Sequence, residues 1–109
     1  MKSKTPPFGR QARIEAGFLL RRLQRGDILG LPQSRPLPDI GTGCHELRIV
    51  DGSANWRIVY HIAADAIVVL EVFAKKTARM PKRILMDCRQ RLSAFESAGR
   101  KKGTKRARR

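Results

Sequence analysis

Residues 44–74 read CHELRIVDGSANWRIVYHIAADAIVVLEVFA, and this stretch decides the fold. Its residues are rich in Val, Ile, Leu, Trp, Tyr and Phe, types that suit a pleated, half-buried surface. Two turn signals cut it. Asp51-Gly52 opens a turn of about four residues ending near Asn55, and Ala64-Asp65 marks a second tight turn. Three strands result, over 44–50, 56–62 and 67–74. Connections this short allow only an antiparallel meander. Strand alternation then assigns the faces. Leu47, Ile49, Trp56, Ile58, Tyr60, Ile62, Val68, Leu70 and Val72 form one apolar set, expected to lie under the helices. Glu46, Arg48, Arg57, Val59, His61, Val69, Glu71 and Phe73 form the other, a mixed face expected to be open, with Lys75 and Lys76 at its edge.

Working outward, residues 27–43 hold three prolines and three glycines and read as an ordered loop, pinned to the core by Leu29, Leu31, Leu37 and Ile40. A loop of this length in a small domain favours a functional surface. Before it, Ala12, Ala16, Leu19, Leu20 and Leu23 recur at helical spacing. They predict a helix entered at Thr5 and the prolines Pro6 and Pro7, with Gly26 as its C-cap. After the strands, Pro81 opens a second helix to about Glu96, whose stripe is Ile84, Leu85, Cys88, Leu92 and Phe95. The expected architecture is α+β: a small antiparallel sheet packed on one face by an N-terminal and a C-terminal helix.

The chain has 109 residues, one small domain's worth. No run of 18 apolar residues exists for a membrane span, and MKSKTPPFGR lacks the apolar segment of a secretory signal, so the expected compartment is the cytoplasm. Cys44 and Cys88 are far apart and expected to be reduced, buried packing residues. The charge is the strongest compositional signal: 24 Lys+Arg against 9 Asp+Glu, formally +15. Residues 97–109 hold seven of those basic groups and no acidic one, so the domain is assigned to 1–96 and a basic, disordered tail to 97–109. Such a charge points to a polyanion, and to nucleic acid first.

No phosphate-binding glycine loop is present, and the two histidines, His45 and His61, lack metal-ligand spacing. No cofactor or metal is expected. Cationic chemistry remains. RNA can be cut when its ribose 2′-OH attacks the adjacent phosphate, given a base, a cation for the phosphorane and an acid for the leaving oxygen. Arg binds two phosphate oxygens at once. Arg48, Arg57, Lys75, Lys76 and His61 are candidates on the mixed face. Competing readings stand beside them: Arg57 as a cross-strand partner of Glu46 or Glu71, the lysine pair as an edge device, and His45 as structural.

Several segments then occur in a familiar order: RRLQRG (21–26), RPLPDIGTG (35–43), HELR (45–48), WRIVY (56–60), VFAKKT (72–77) and a Pro81-led helix with RQRL (89–92). Over roughly residues 8–95 the chain resembles the phage-derived, RelE-like toxin family, the HigB-type toxins of type II toxin–antitoxin modules. The resemblance implies a ribosome-dependent endoribonuclease that cuts mRNA without a metal. It implies a cognate antitoxin of helix-turn-helix type, contact with operator DNA only through that antitoxin, and no membrane partner. Carried over position by position, it makes Arg57, Lys75 and Lys76 the catalytic candidates and Arg48 an RNA-binding one; His61 on the mixed face, Arg79 and Lys82 complete the RNA-binding candidates. Relatives often carry a tyrosine or histidine near the start of the last helix. Here that region reads Arg79-Met80-Pro81-Lys82-Arg83, which leaves the general base unassigned. A ParE-type gyrase inhibitor and a non-catalytic antitoxin- or nucleic-acid-binding relative are the alternatives on the same scaffold.

Overall fold

The computed structural model describes residues 9–52, 54–76 and 79–107, from residue 100 onward by backbone alone. The expected helix entry at Thr5, Pro6 and Pro7 lies outside these residues. The elements are α1 (Arg10–Gln24), β1 (Ser34–Pro36), β2 (Cys44–Asp51), β3 (Ala54–Ile62), β4 (Ile67–Ala74) and α2 (Lys82–Ala107). The fold is α+β, as the sequence pattern predicts, with a four-stranded antiparallel sheet in the order β1-β2-β3-β4.

The fourth strand comes from the segment expected to be a loop. Ser34, Arg35 and Pro36 pair with Leu47, Glu46 and His45 at the sheet edge. A three-residue strand ending in proline carries no alternation to detect, and proline fits an edge where its missing N–H costs no ladder bond. The predicted meander is present. Asp51 pairs with Ala54 across a tighter turn than expected, with Gly52 at φ 61°. Gly52 adopts this left-handed conformation without the Cβ penalty other residues meet.

The helices do not share one face of the sheet; they lie on opposite faces. Ala12, Ala16, Leu19 and Leu23 of α1 pack on Leu47, Ile49, Ile58 and Tyr60, with Trp56 and Val72 at the margin. Cys88 and Leu92 of α2 pack on Cys44, Val59 and Leu70, joined by Val68, Phe73, Ile84 and Leu85. The reason is a bulge. Register shifts between Val59 and Tyr60, so that Val59 faces Glu71 but Tyr60 faces Val69. Leu70 is the extra residue. It joins Val68 in the second cluster, and Val69 turns to the first face, where it is 46% exposed. With apolar side chains on both faces, the sheet needs cover on both. The face expected to be open is therefore partly roofed by α2.

The α1 stripe is the predicted one, and its end is a Schellman motif. The N–H groups of Gly26 and Asp27 donate to the carbonyls of Leu23 and Arg22, with Gly26 at φ 97°. At its start, the Gly9 N–H donates to Asp51 Oδ2 at 2.6 Å, tying the helix to the end of β2. The α2 helix also follows its predicted stripe but continues through Ala107 instead of ending near Glu96. No proline follows Lys82, and the Ser, Ala, Lys and Arg residues there are compatible with a helix despite Gly99 and Gly103. Arg91 of α2 donates to the Leu70 carbonyl at 2.7 Å and pairs with Glu71, fastening the helix to the bulged strand.

Candidate active site

The bulged face of the sheet carries two adjoining clefts. The first, of about 390 Å³, lies between the sheet, the loop after β1 and the start of α2. Arg35, Glu46, Lys75 and Arg79 supply most of its charge, with Asp39 at its rim and Leu37, Ile40, Met80 and Leu85 as its apolar wall. The second, of about 520 Å³, opens where β1 stops short of the end of β2, and holds Arg48, Arg57, Asn55 and Glu15.

The Glu46–Arg57 pair stands between them. Glu46 lines the first cleft and Arg57 the second, and Arg57 Nε lies 3.5 Å from Glu46 Oε2. Both side chains are buried: Arg57 is 9% exposed and Glu46 2%. The contact is an ion pair without hydrogen-bond alignment, because Arg57 Nε is buried and makes no hydrogen bond. Arg57 Nη1 instead donates to the Trp56 carbonyl at 3.1 Å. Burial pushes the Arg57 pKa below its ordinary value, Glu46 pulls it back, and the neighbouring Arg48 and Arg35 lower it further. Arg48 is the direct cross-strand partner of Arg57. Like charges opposite one another are unfavourable in a ladder. Three arginines around one buried carboxylate make a locus with surplus positive charge, the requirement for holding an anion.

The sequence-derived candidates divide accordingly. Lys75 and Arg79 meet in the first cleft; the backbone N–H of Lys75 donates to the Asn55 carbonyl at 2.7 Å and fixes the chain as it leaves β4. Arg48 and Arg57 meet in the second. Lys76 and Lys82 are exposed and line neither cleft. His61 shares the sheet face with Arg57 but lies four residues along β3, about 13 Å at strand spacing. It is 9% exposed, with Nδ1 3.6 Å from Cys44 Sγ and the Phe95 ring edge-on at 6.1 Å. It is therefore packed beneath α2, away from both clefts. The cross-strand reading of Arg57 holds for Glu46, while Glu71 is taken by Arg91.

Arg35 and Glu46 of the first cleft are not among the sequence-derived site candidates. Arg35 lies on the short edge strand that no periodicity could reveal. Alternation places Glu46 on the right face, but only as a partner for Arg57; its position beside Lys75 and Arg79 depends on the loop and helix that close around it. Elsewhere, His45 stacks on Tyr60 with ring centroids 5.4 Å apart, and Ser34 and Tyr60 share a buried 2.6 Å hydrogen bond, so this trio is structural. Cys44 and Cys88 are free and buried, and burial raises both thiol pKa values. Among the described residues, no three His, Cys, Asp or Glu side chains are grouped to hold a metal ion, and no helix is long and apolar enough to cross a membrane.

Residues 7–93 match the family model described as phage derived protein Gp49-like (DUF891). The chain belongs to this family. Gp49-like proteins are associated with toxin–antitoxin modules, which implies pairing with an antitoxin. The match spans α1, the whole sheet and the first part of α2, and so includes every residue of both clefts. No curated protein and no solved structure matches the chain.

Proposed function

We propose that this Gp49-like protein is the toxin of a toxin–antitoxin module, and that it is a RelE-like endoribonuclease cutting mRNA on the ribosome by metal-free 2′-OH attack. The observation that carries the reading is the buried Glu46 carboxylate set among Arg35, Lys75 and Arg79 in one cleft. The Arg57 guanidinium behind it, with Nε 3.5 Å from Oε2, holds the carboxylate in place.

In this mechanism Glu46 takes the proton of the ribose 2′-OH, the role that no tyrosine or histidine of the last helix fills. The O2′–P bond forms, and the phosphorane's negative charge is met by Arg35 and Arg79, whose forks each match two phosphate oxygens. The P–O5′ bond breaks, and the leaving oxygen takes a proton from the Lys75 ammonium. The products are a 2′,3′-cyclic phosphate and a 5′-hydroxyl. Arg48 and the second cleft hold the adjoining backbone phosphates. Arg57 acts through Glu46 as a positioning residue, a change from the direct phosphate contact that the sequence suggests. The ribosome presents the mRNA in a strained single-stranded form, and the antitoxin restrains the chain in the cytoplasm between uses.

The test is induced expression without the antitoxin gene, followed by primer-extension mapping of cellular mRNA. Cuts inside translated frames that vanish when translation is blocked, with cyclic-phosphate ends, are expected. Intact mRNA in cells arrested by soluble protein would refute the nuclease. Inhibited supercoiling in the same cells would move the target to gyrase.

A further inference from the structure

The outer side of α1 is built unlike a solvated helix surface. The core stripe Ala12, Ala16, Leu19 and Leu23 turns inward. At roughly 100° per residue, Ile14 and Phe18 fall on the side turned away from that stripe, one turn apart. They are 53% and 52% exposed. Gly17 lies between them in sequence, and the Arg21 guanidinium reaches over it, with Nη1 3.5 Å from where a Cβ would stand. Arg10, Arg21 and Arg25 share this side of the helix by the same spacing. The one acid of α1, Glu15, points elsewhere, into the cleft beside Arg48.

The charge order is also one-sided. No acidic residue occupies the first turn of α1, where Arg10 and Arg13 stand instead. Basic groups there oppose the positive end of the helix dipole, and the Asp51 carboxylate at the Gly9 N–H is the negative group set against it. Arg25 already pairs with Asp27, and an acidic partner lying along α1 meets Arg10 and Arg21 and buries the two apolar side chains.

We infer that the outer face of α1 is the docking surface for an acidic amphipathic helix of the antitoxin, with Ile14 and Phe18 as its anchors. This rests on the toxin–antitoxin reading. The surface lies across the sheet from the first cleft, because α1 and α2 pack on opposite faces, and the α1 residue that reaches the second cleft, Glu15, is on another side of the helix from Ile14 and Phe18. The antitoxin's grip and the cleft are thus separable by mutation.

The full chain is mixed with the antitoxin encoded beside it, and affinity is measured by calorimetry at low and high salt. Ile14→Ser/Phe18→Ser is expected to weaken binding by about tenfold or more, as truncated apolar anchors do. Arg10→Glu/Arg21→Glu is expected to weaken it similarly at low salt and less at high salt. Met86→Ser, a substitution of an equally exposed apolar residue on α2, leaves affinity unchanged. Far-UV circular dichroism confirms that each variant is folded. Wild-type affinity in both α1 variants, with binding otherwise intact, overturns the docking surface while the pairing stands. No binding by the unmodified chain overturns both. A dimer of the isolated chain that Ile14→Ser/Phe18→Ser dissolves assigns the face to self-association and overturns the antitoxin helix.

Discussion

The Glu46–Arg57 pair allows a test in which removing a charge and removing a pair give opposite answers. Glu46→Leu leaves the Arg57 guanidinium buried, with Arg48 opposite it, Arg35 nearby and its compensating carboxylate gone. Breaking a buried pair on one side costs about 3–5 kcal/mol. For a chain of this length, 1 kcal/mol moves Tm by roughly 4–5 °C, so Tm should fall by roughly 12–25 °C. Arg57→Leu should cost less, about 1–3 kcal/mol, the cost of a polar group that loses one partner, because Glu46 keeps Arg35, Lys75 and Arg79 around it in the cleft. Glu46→Leu/Arg57→Leu removes both charges and places two leucines beside Val59 and Phe73 of the same face. It should return to within about 1 kcal/mol of the parent, giving a coupling energy of about 3 kcal/mol or more. Thermal and urea unfolding by circular dichroism measure all four corners of the cycle. The recovered double variant should be stable and inactive in mRNA cleavage, which separates the pair's chemistry from its packing. A loss below about 1 kcal/mol in Glu46→Leu would refute the reasoning, since solvent would then be screening Arg57 as it does an exposed ion.

Lys75→Met and Arg79→Met should each lower ribosome-dependent cleavage about 10- to 100-fold, the worth of one charge-assisted contact, while Tm changes by only a few degrees because neither is in the core; unchanged cleavage rates would remove them from the site. The Cys88 thiol, raised by burial first and by Cys44 and Asp87 next, titrates at about 11 instead of its ordinary 9.0. Its folded form retains the proton longer than the unfolded chain does, so this stability is full below pH 9 and is lost as pH rises toward about 11, amounting to about 2–3 kcal/mol. The fall of Tm with pH over that window should be visibly shallower in Cys88→Ala, and equal slopes would contradict the assignment. Gly43 sits at φ 75°, and a Cβ at this position would lie 3.3 Å from the Ile62 carbonyl oxygen. Gly43→Ala should therefore destabilise by about 1–2 kcal/mol, read as a Tm drop in thermal unfolding; a neutral effect would mean that the turn into β2 can relax.

What the sequence reveals and what it conceals divide along one strand. The meander is legible because Leu47, Ile49, Trp56, Ile58 and Tyr60 alternate without interruption, and both helices because their stripes recur at helical spacing. The sidedness of β4 is not. IVVLEVF is a nearly continuous apolar run, which marks a strand buried on both faces but does not fix its phase. The bulge at Val59/Tyr60 then moves Leu70 to the opposite face. Val59 and Phe73 on the mixed face signal that something covers it, yet only the packing of α2 shows what. Edge strand β1 has no period to read. The site shows the same division: alternation puts Glu46, Arg48 and Arg57 on one face, while Arg35 and Arg79 reach the cleft through a loop and a helix start whose positions are set by tertiary contacts.

The bulge also explains why a charged site can survive on a face that a helix covers. At β4, Leu70 and Val68 draw α2 down onto one end of the face, over Cys44, and His61 is packed away there against Phe95. Arg91 holds the helix at the bulge itself through Leu70 and Glu71. Met80, just before α2, and Ile84 and Leu85 in its first turn cover the other end, leaving the cleft between them and β1. Glu46 and Arg57 lie at that boundary, dry enough for charge to act at low dielectric and close enough to the cleft to meet a phosphate. Moving the bulge by one residue would turn Leu70 back to the α1 face, lift α2 and hydrate the pair. The packing defect of β4 and the cation cluster of β2 and β3 are therefore one arrangement, and a variant that regularises β4, such as deletion of Leu70, should lose cleavage together with the Glu46–Arg57 coupling even with every charged residue in place.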